Sequence, residues 1–101
     1  MELMELTSKQ RAYLRSLGQK LEPIVWVGKG DISPAVVQST DEALTSRELV
    51  KGRVQQEAPL TAREAGTVLA EACQATLVAT IGRTFLLYRP NPEKPHIILE
   101  E

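Results

Sequence analysis

Ile24-Val25-Trp26-Val27-Gly28-Lys29-Gly30-Asp31-Ile32-Ser33-Pro34 is a short apolar run that stops at a glycine-flanked lysine and restarts as a helix. The β-branched and aromatic residues Ile24 to Val27 predict a strand. Ser33 suits a helix N-cap, and Pro34 suits the first helical position, where a missing N–H costs nothing. A strand, a glycine loop and a helix in immediate succession point to an α/β fold. The same stretch has chemical content. Glycine lets the backbone approach a ligand closely. The start of a helix offers unpaired N–H groups and partial positive charge. With Lys29 between the glycines, the stretch reads as an anion-binding device.

Upstream, Leu6-Thr7-Ser8-Lys9-Gln10 opens a first helix, with Thr7 and Gln10 as a capping box. Leu14, Leu17 and Leu21 recur at helical spacing, Leu6 is poised as a staple partner, and Pro23 marks the end, so a helix is expected over about Ser8 to Lys20. Downstream, the second helix presents Val36, Val37, Thr40, Ala43 and Leu44 on one face and ends near Ser46. Leu49 to Val54 predicts a second strand, in which Gly52 marks a bulge or a close backbone approach. Thr61-Ala62-Arg63-Glu64 is another capping box. It opens a third helix with Ala65, Val68, Leu69 and Ala72 inward, ending near Cys73. Leu77 to Ile81 predicts a third strand, and Gly82-Arg83 a tight turn into a hairpin partner, Thr84 to Tyr88. Three prolines between Arg89 and Pro95 read as the start of a tail, in which His96 to Leu99 adds a few extended residues.

The expected architecture is a single α/β domain of order αβαβαββ over residues 6–89, followed by a tail over 90–101. Helix-separated strands require at least one parallel pair, and the last two strands form an antiparallel edge, giving a four-stranded mixed sheet packed with helices. No repeat or low-complexity block interrupts it.

A chain of 101 residues with 43% hydrophobic content supports one modest core. Tyr13, Trp26, Phe85 and Tyr88 are its only aromatics, so Leu, Val, Ile and Ala must build that core. No apolar run approaches the roughly 18 residues of a membrane span, and the N-terminus lacks a signal-peptide layout. The single Cys73 excludes an internal disulfide and fits a reducing compartment, which places the protein in the cytoplasm. The net charge of −1 hides an asymmetry. Glu2, Glu5, Glu93, Glu100 and Glu101 lie at the ends, while Leu6 to Arg89 holds 11 Lys and Arg against 8 Asp and Glu. That mild excess suits a polyanionic partner, although an ordinary solvated surface also accounts for it.

Catalytic chemistry finds little support. His96 lies in the tail, Cys73 lies at the apolar end of a helix and reads as a buried structural thiol, and no scaffold brings the two together. Asp41 and Glu42 are adjacent on a helix and point to different faces. No spacing suits a metal site, and no cofactor or small-molecule substrate is expected. Gly28-Lys29-Gly30 matches neither a Walker loop nor a dinucleotide fingerprint, and a plain strand-to-helix turn is the alternative reading. The remaining basic residues bear on that choice. Lys51 and Arg53 alternate onto one strand face. Arg83 sits in the hairpin turn. Lys9, Arg11 and Arg15 line part of the first helix, the last two sharing a face at i, i+4. Together with the loop they form a set able to track a phosphate backbone.

Leu6 to Arg15, Pro23 to Gly30, Glu42 to Leu44, Arg47 to Lys51, Ile81 to Arg83 and Leu87 to Arg89 follow one another in an order that resembles the CRM domain family in its stand-alone bacterial YhbY-type form. The resemblance spans about Leu6 to Arg89. It implies a fold similar to the C-terminal domain of translation initiation factor three, and RNA binding through a Gly-x-x-Gly loop and nearby basic residues. It also implies association with ribosomal RNA in precursors of the large ribosomal subunit, and so a part in ribosome assembly. In this chain the loop is Gly28, Lys29, Gly30 and Asp31. The family usually has glycine where Asp31 stands. The aspartate either sets negative charge beside the phosphate site or caps the second helix. Gly52-Arg53 departs slightly from the family's apolar–basic alternation. The expected RNA-binding set is Gly28, Lys29, Gly30, Asp31, Lys51, Arg53 and Arg83, flanked by Lys9, Arg11 and Arg15. With so few aromatics, backbone and shape recognition are favoured over base stacking. The rival reading is a protein–protein module that contacts ribosomal proteins through apolar surface, using Trp26 or the tail from Pro90 to Leu99.

Overall fold

The computed structural model describes residues 5–99. Glu2, Glu100 and Glu101, counted above in the acidic ends, lie outside them. In chain order the elements are α1 (Ser8–Gly18), β1 (Val25–Val27), α2 (Pro34–Arg47), β2 (Leu49–Val54), α3 (Ala62–Cys73), β3 (Thr76–Ile81) and β4 (Thr84–Tyr88). This is the expected αβαβαββ order, and the sheet is four-stranded and mixed.

Local chemistry explains where the helices begin. Thr7 and Gln10 exchange reciprocal hydrogen bonds of 3.0 and 3.1 Å at α1. Thr61 and Glu64 do the same at 2.9 and 3.1 Å at α3. Ser33 Oγ accepts from the Val36 amide, with Pro34 at the first helical position. Each such cap is worth about 1 kcal/mol. α1 ends at Gly18 rather than Lys20, because the Lys20 and Leu21 amides turn back to Leu17 and Gly18 in tighter i→i+3 bonds.

The strand order is β1-β2-β4-β3. β1 pairs parallel to β2 across the α2 connection, and β4 pairs antiparallel to both β2 and β3. The final hairpin therefore inserts β4 between its two predecessors and leaves β3 at the edge. α2 and α3 cover one face of the sheet, over Val25, Val27, Val50, Val54, Phe85 and Leu87. α1 covers the other, over Leu49, Val78, Leu86 and Tyr88. Phe85, Leu86, Leu87 and Tyr88 are all buried, as expected of a strand covered on both faces. Gly82, at φ +58, takes the first central position of the two-residue turn, as a type II′ hairpin requires.

The expected inward face of α3 needs correction. The inward stripe of α3 is Ala62, Ala65, Gly66, Leu69, Ala70 and Cys73; Val68 is 44% exposed and Ala72 faces outward. A Cβ at residue 66 would meet Leu77 at 2.7 Å, so the small residues set how closely α3 lies on the sheet. The described tail, moreover, is fastened to the domain. Glu48, fully buried at φ +65 between α2 and β2, accepts hydrogen bonds from the amides of Asn91, His96 and Ile97 at 2.6, 2.6 and 2.8 Å. Ile97 and Leu99 then pack onto the α1-side core.

Candidate nucleic-acid interface

β1 and β2 run parallel, so the Gly28–Asp31 loop leaves the sheet at the end where β2 finishes. The Gln55 amide donates to Val27 O at 2.8 Å and the Val54 amide to Arg83 O at 2.8 Å. The loop, the end of β2 and the Gly82-Arg83 turn are thereby gathered at one end of the sheet. Three segments distant in sequence bring Lys29, Arg53 and Arg83 there, all exposed. None of the three has an ion pair among the described residues; the pair formed is Arg89 with Asp41 at 2.6 Å.

The loop is a turn closed by the Asp31 amide donating to Gly28 O at 3.0 Å. Asp31 lies at φ +64, a left-handed conformation that glycine adopts freely and aspartate tolerates. Its carboxylate accepts from the Ile32 amide at 2.6 Å. Of the two roles open to Asp31 on sequence, capping α2 belongs instead to Ser33. The Asp31, Ile32 and Val36 amides are engaged, whereas no hydrogen bond within the described residues engages the Lys29 and Gly30 amides. A Cβ at residue 30 would touch nothing within 4 Å, so this part of the loop is open.

Lys51 and Arg53 share the α1 face of β2, as their spacing implies. Lys51 is half-buried, and its Nζ lies 3.3 Å from Gly18 O, where a cation suits the C-terminal end of α1. Arg15 and Lys51 together border a groove between α1 and the sheet, with Gln19, Ile81 and Thr84 on its other sides. Arg83 borders a separate cleft toward the start of α3, beside Gln55 and Thr61.

Arg11 does not join this surface. Its guanidinium donates to the carbonyls of Leu77, at 3.0 Å, and Val78, where β3 shifts register against β4. It serves the carbonyls beside the register shift. Lys9 is exposed at the far end of α1, beside Tyr13 and the tail residues Ile98 and Leu99. The i, i+4 pairing of Arg11 and Arg15 is real on the helix, yet the sheet separates their duties.

The structure adds what sequence reading missed. Register partners across all four strands place Trp26, Arg53, Thr84 and Ile81 in one row on the α1 face. α1 packs on β2 and β3 further along the sheet, leaving Trp26 49% and Ile81 59% exposed. The signal was the alternation of Trp26 with the two buried valines, but its neighbours depended on strand order.

Cys73 is the buried thiol expected, with Sγ 3.7 Å from Val37 O. Burial, helped by Asp41 and opposed by Arg89, pushes its pKa up, away from nucleophilic reactivity. Among the described residues no three His, Cys, Asp or Glu side chains group to hold a metal ion, and no helix is long and apolar enough to cross a membrane.

Comparison with known proteins adds independent findings. Residues 6–89 match the model of the CRS1 / YhbY (CRM) domain. The chain is 37% identical over 94 residues to the probable RNA-binding protein YqeI of Bacillus subtilis, covering 93% of this chain and 98% of that protein. It is 31% identical over 88 residues to an RNA-binding protein of Haemophilus influenzae, covering 87% and 89%. The solution structure of a hypothetical protein from Staphylococcus aureus superposes with a TM-score of 0.79 at 38% identity, covering 95% of this chain and all of that one.

Proposed function

The chain belongs to the CRS1 / YhbY (CRM) domain family, and from that premise we propose that it binds RNA, specifically ribosomal RNA in precursors of the large ribosomal subunit. The protein acts by holding RNA during assembly, in the cytoplasm, and performs no catalytic step. The observation that carries this reading is the convergence of Lys29, Arg53 and Arg83, without ion-pair partners among the described residues, at one end of the sheet. The Lys29 and Gly30 amides meet phosphate, Lys29 adds a point charge, and Arg53 and Arg83 extend the contact on either side of the sheet's end. Lys51 and Arg15 prolong it along the groove. Relatives named as RNA-binding proteins support the class of ligand, and the family resemblance supports the ribosomal target.

Filter-binding titration with a large-subunit RNA transcript at several salt concentrations tests the reading. Each phosphate contact contributes about 0.7 to 0.9 to the slope of log affinity against log salt. Replacing Lys29, Arg53 and Arg83 together by alanine is expected to lower that slope by about 2 to 3 and to weaken binding across RNA sequences. Unchanged affinity and slope would dismiss this interface. A module that docks on ribosomal proteins instead predicts weak RNA binding by the unaltered protein. Crosslinking in cells, followed by sequencing of the attached RNA, tests the ribosomal target.

A further inference from the structure

We infer that the row Trp26–Arg53–Thr84–Ile81 is a platform for an unpaired RNA base, with the Trp26 indole as its stacking surface; this rests on the RNA-binding reading above and adds what class of RNA the site takes. The row crosses all four strands at one end of the sheet, so neighbouring side chains stand about 5 Å apart on a single face. One end of the row is Trp26, 49% exposed as a residue, and the other is Ile81, 59% exposed. An aromatic ring held on a sheet has its orientation set by its strand neighbours, and every base has a π-face to lay on it.

The charges around the row select the occupant. Arg53 is the register partner of Trp26, and Lys51 and Arg15 border the adjoining groove. These cations have no carboxylate partner among the described residues, and no acidic side chain borders that groove. An exposed indole beside cations that have no carboxylate partner suits a base attached to a phosphate backbone. The Gly28-Lys29-Gly30 loop begins two residues beyond Trp26, roughly 7 Å along the strand. A backbone held at the loop therefore brings a neighbouring base over the indole. A base inside a duplex has both faces stacked already and offers neither to Trp26. The platform accordingly favours single-stranded segments, a preference that the expectation of pure backbone and shape recognition does not contain.

The chain holds one tryptophan, so its emission reports this position alone. The probes are a single-stranded RNA oligonucleotide and a fully paired duplex, titrated at one salt concentration. The single strand is expected to quench Trp26 emission and the duplex to bind with little quenching. Trp26→Leu is expected to lose about tenfold in single-strand affinity while keeping duplex affinity and salt slope, and Trp26→Phe to keep most of the single-strand affinity. Circular dichroism of both variants checks that the fold is intact. Equal loss for single strand and duplex in Trp26→Leu, or single-strand binding without quenching, overturns the platform and leaves the RNA reading standing. Failure of the unaltered protein to bind either RNA at low salt overturns both, and is the outcome that a protein-docking surface predicts.

Discussion

Gly52 of β2 lies directly opposite Phe85 of β4, and the Phe85 ring fills the space a side chain at 52 would need: a Cβ there would sit 2.1 Å from Cζ. Phe85 is 1% exposed within the α2/α3-side core and has nowhere to retreat. Gly52→Ala is therefore expected to cost about 2 to 3 kcal/mol, as overpacking of a dense core does. Phe85→Leu in the same background is expected to recover part of that loss, so the two changes are non-additive. Urea denaturation of the two single variants and the double variant checks this.

Glu48 answers to pH. Burial pushes its carboxyl up, but the amides of Asn91, Ile97 and His96, together with the His96 charge, pull it down further, and its pKa settles below the ordinary 4.5. A carboxyl lowered on folding contributes stability above its unfolded value, and that contribution is lost as pH falls through the folded value. The tail anchor is thus complete at neutral pH and fails in the acid range below 4.5. Glu48→Gln is expected to cost about 2 kcal/mol at neutral pH, because charge-assisted bonds to the tail amides are weakened. The gap between variant and parent is expected to narrow in acid. Urea midpoints across a pH series, with amide exchange at Asn91, His96 and Ile97, measure both effects.

Asp31 occupies a left-handed position with a negative charge beside Lys29. Asp31→Gly removes the charge without a conformational penalty, and RNA affinity is expected to rise roughly two- to fivefold. Asp31→Ala removes the same charge but keeps a Cβ at φ +64, and is expected to cost about 1 kcal/mol of stability. Paired filter-binding and thermal-melting measurements separate the two consequences.

Arg11 and Lys29, both named as RNA contacts on sequence, are expected to respond oppositely. Arg11→Ala leaves the Leu77 and Val78 carbonyls without their donor and should cost about 2 kcal/mol of stability, with RNA affinity unaltered. Lys29→Ala should leave the melting temperature in place and lower the salt slope of binding by slightly less than one. Loss of RNA affinity in a folded Arg11→Ala variant would return that residue to the interface.

The elements and their order were legible because the forces that define them act over a few residues. The boxes at Thr7 and Thr61, the Ser33-Pro34 start and the Gly82-Arg83 turn are local devices, and each is found where its sequence implies. The α3 stripe departs from its sequence pattern at Val68, since burial there follows how closely Gly66 and Ala70 let the helix approach the sheet, not which residue is most apolar. For the candidate site, the loop and the shared face of Lys51 and Arg53 came from spacing, whereas the commitment of Arg11 to β3 did not.

Residue pattern by itself determined three helices, four strands and a cationic glycine loop ahead of a capped helix, because caps, turn residues and hydrophobic period are satisfied within a single segment. Only tertiary structure decided that β4 enters between β2 and β3, that Glu48 fastens the tail, and that Trp26, Arg53, Thr84 and Ile81 fall into one row. Strand neighbours are chosen by burying both faces of the sheet at once, a condition that involves the whole chain and is written in no single stretch of it.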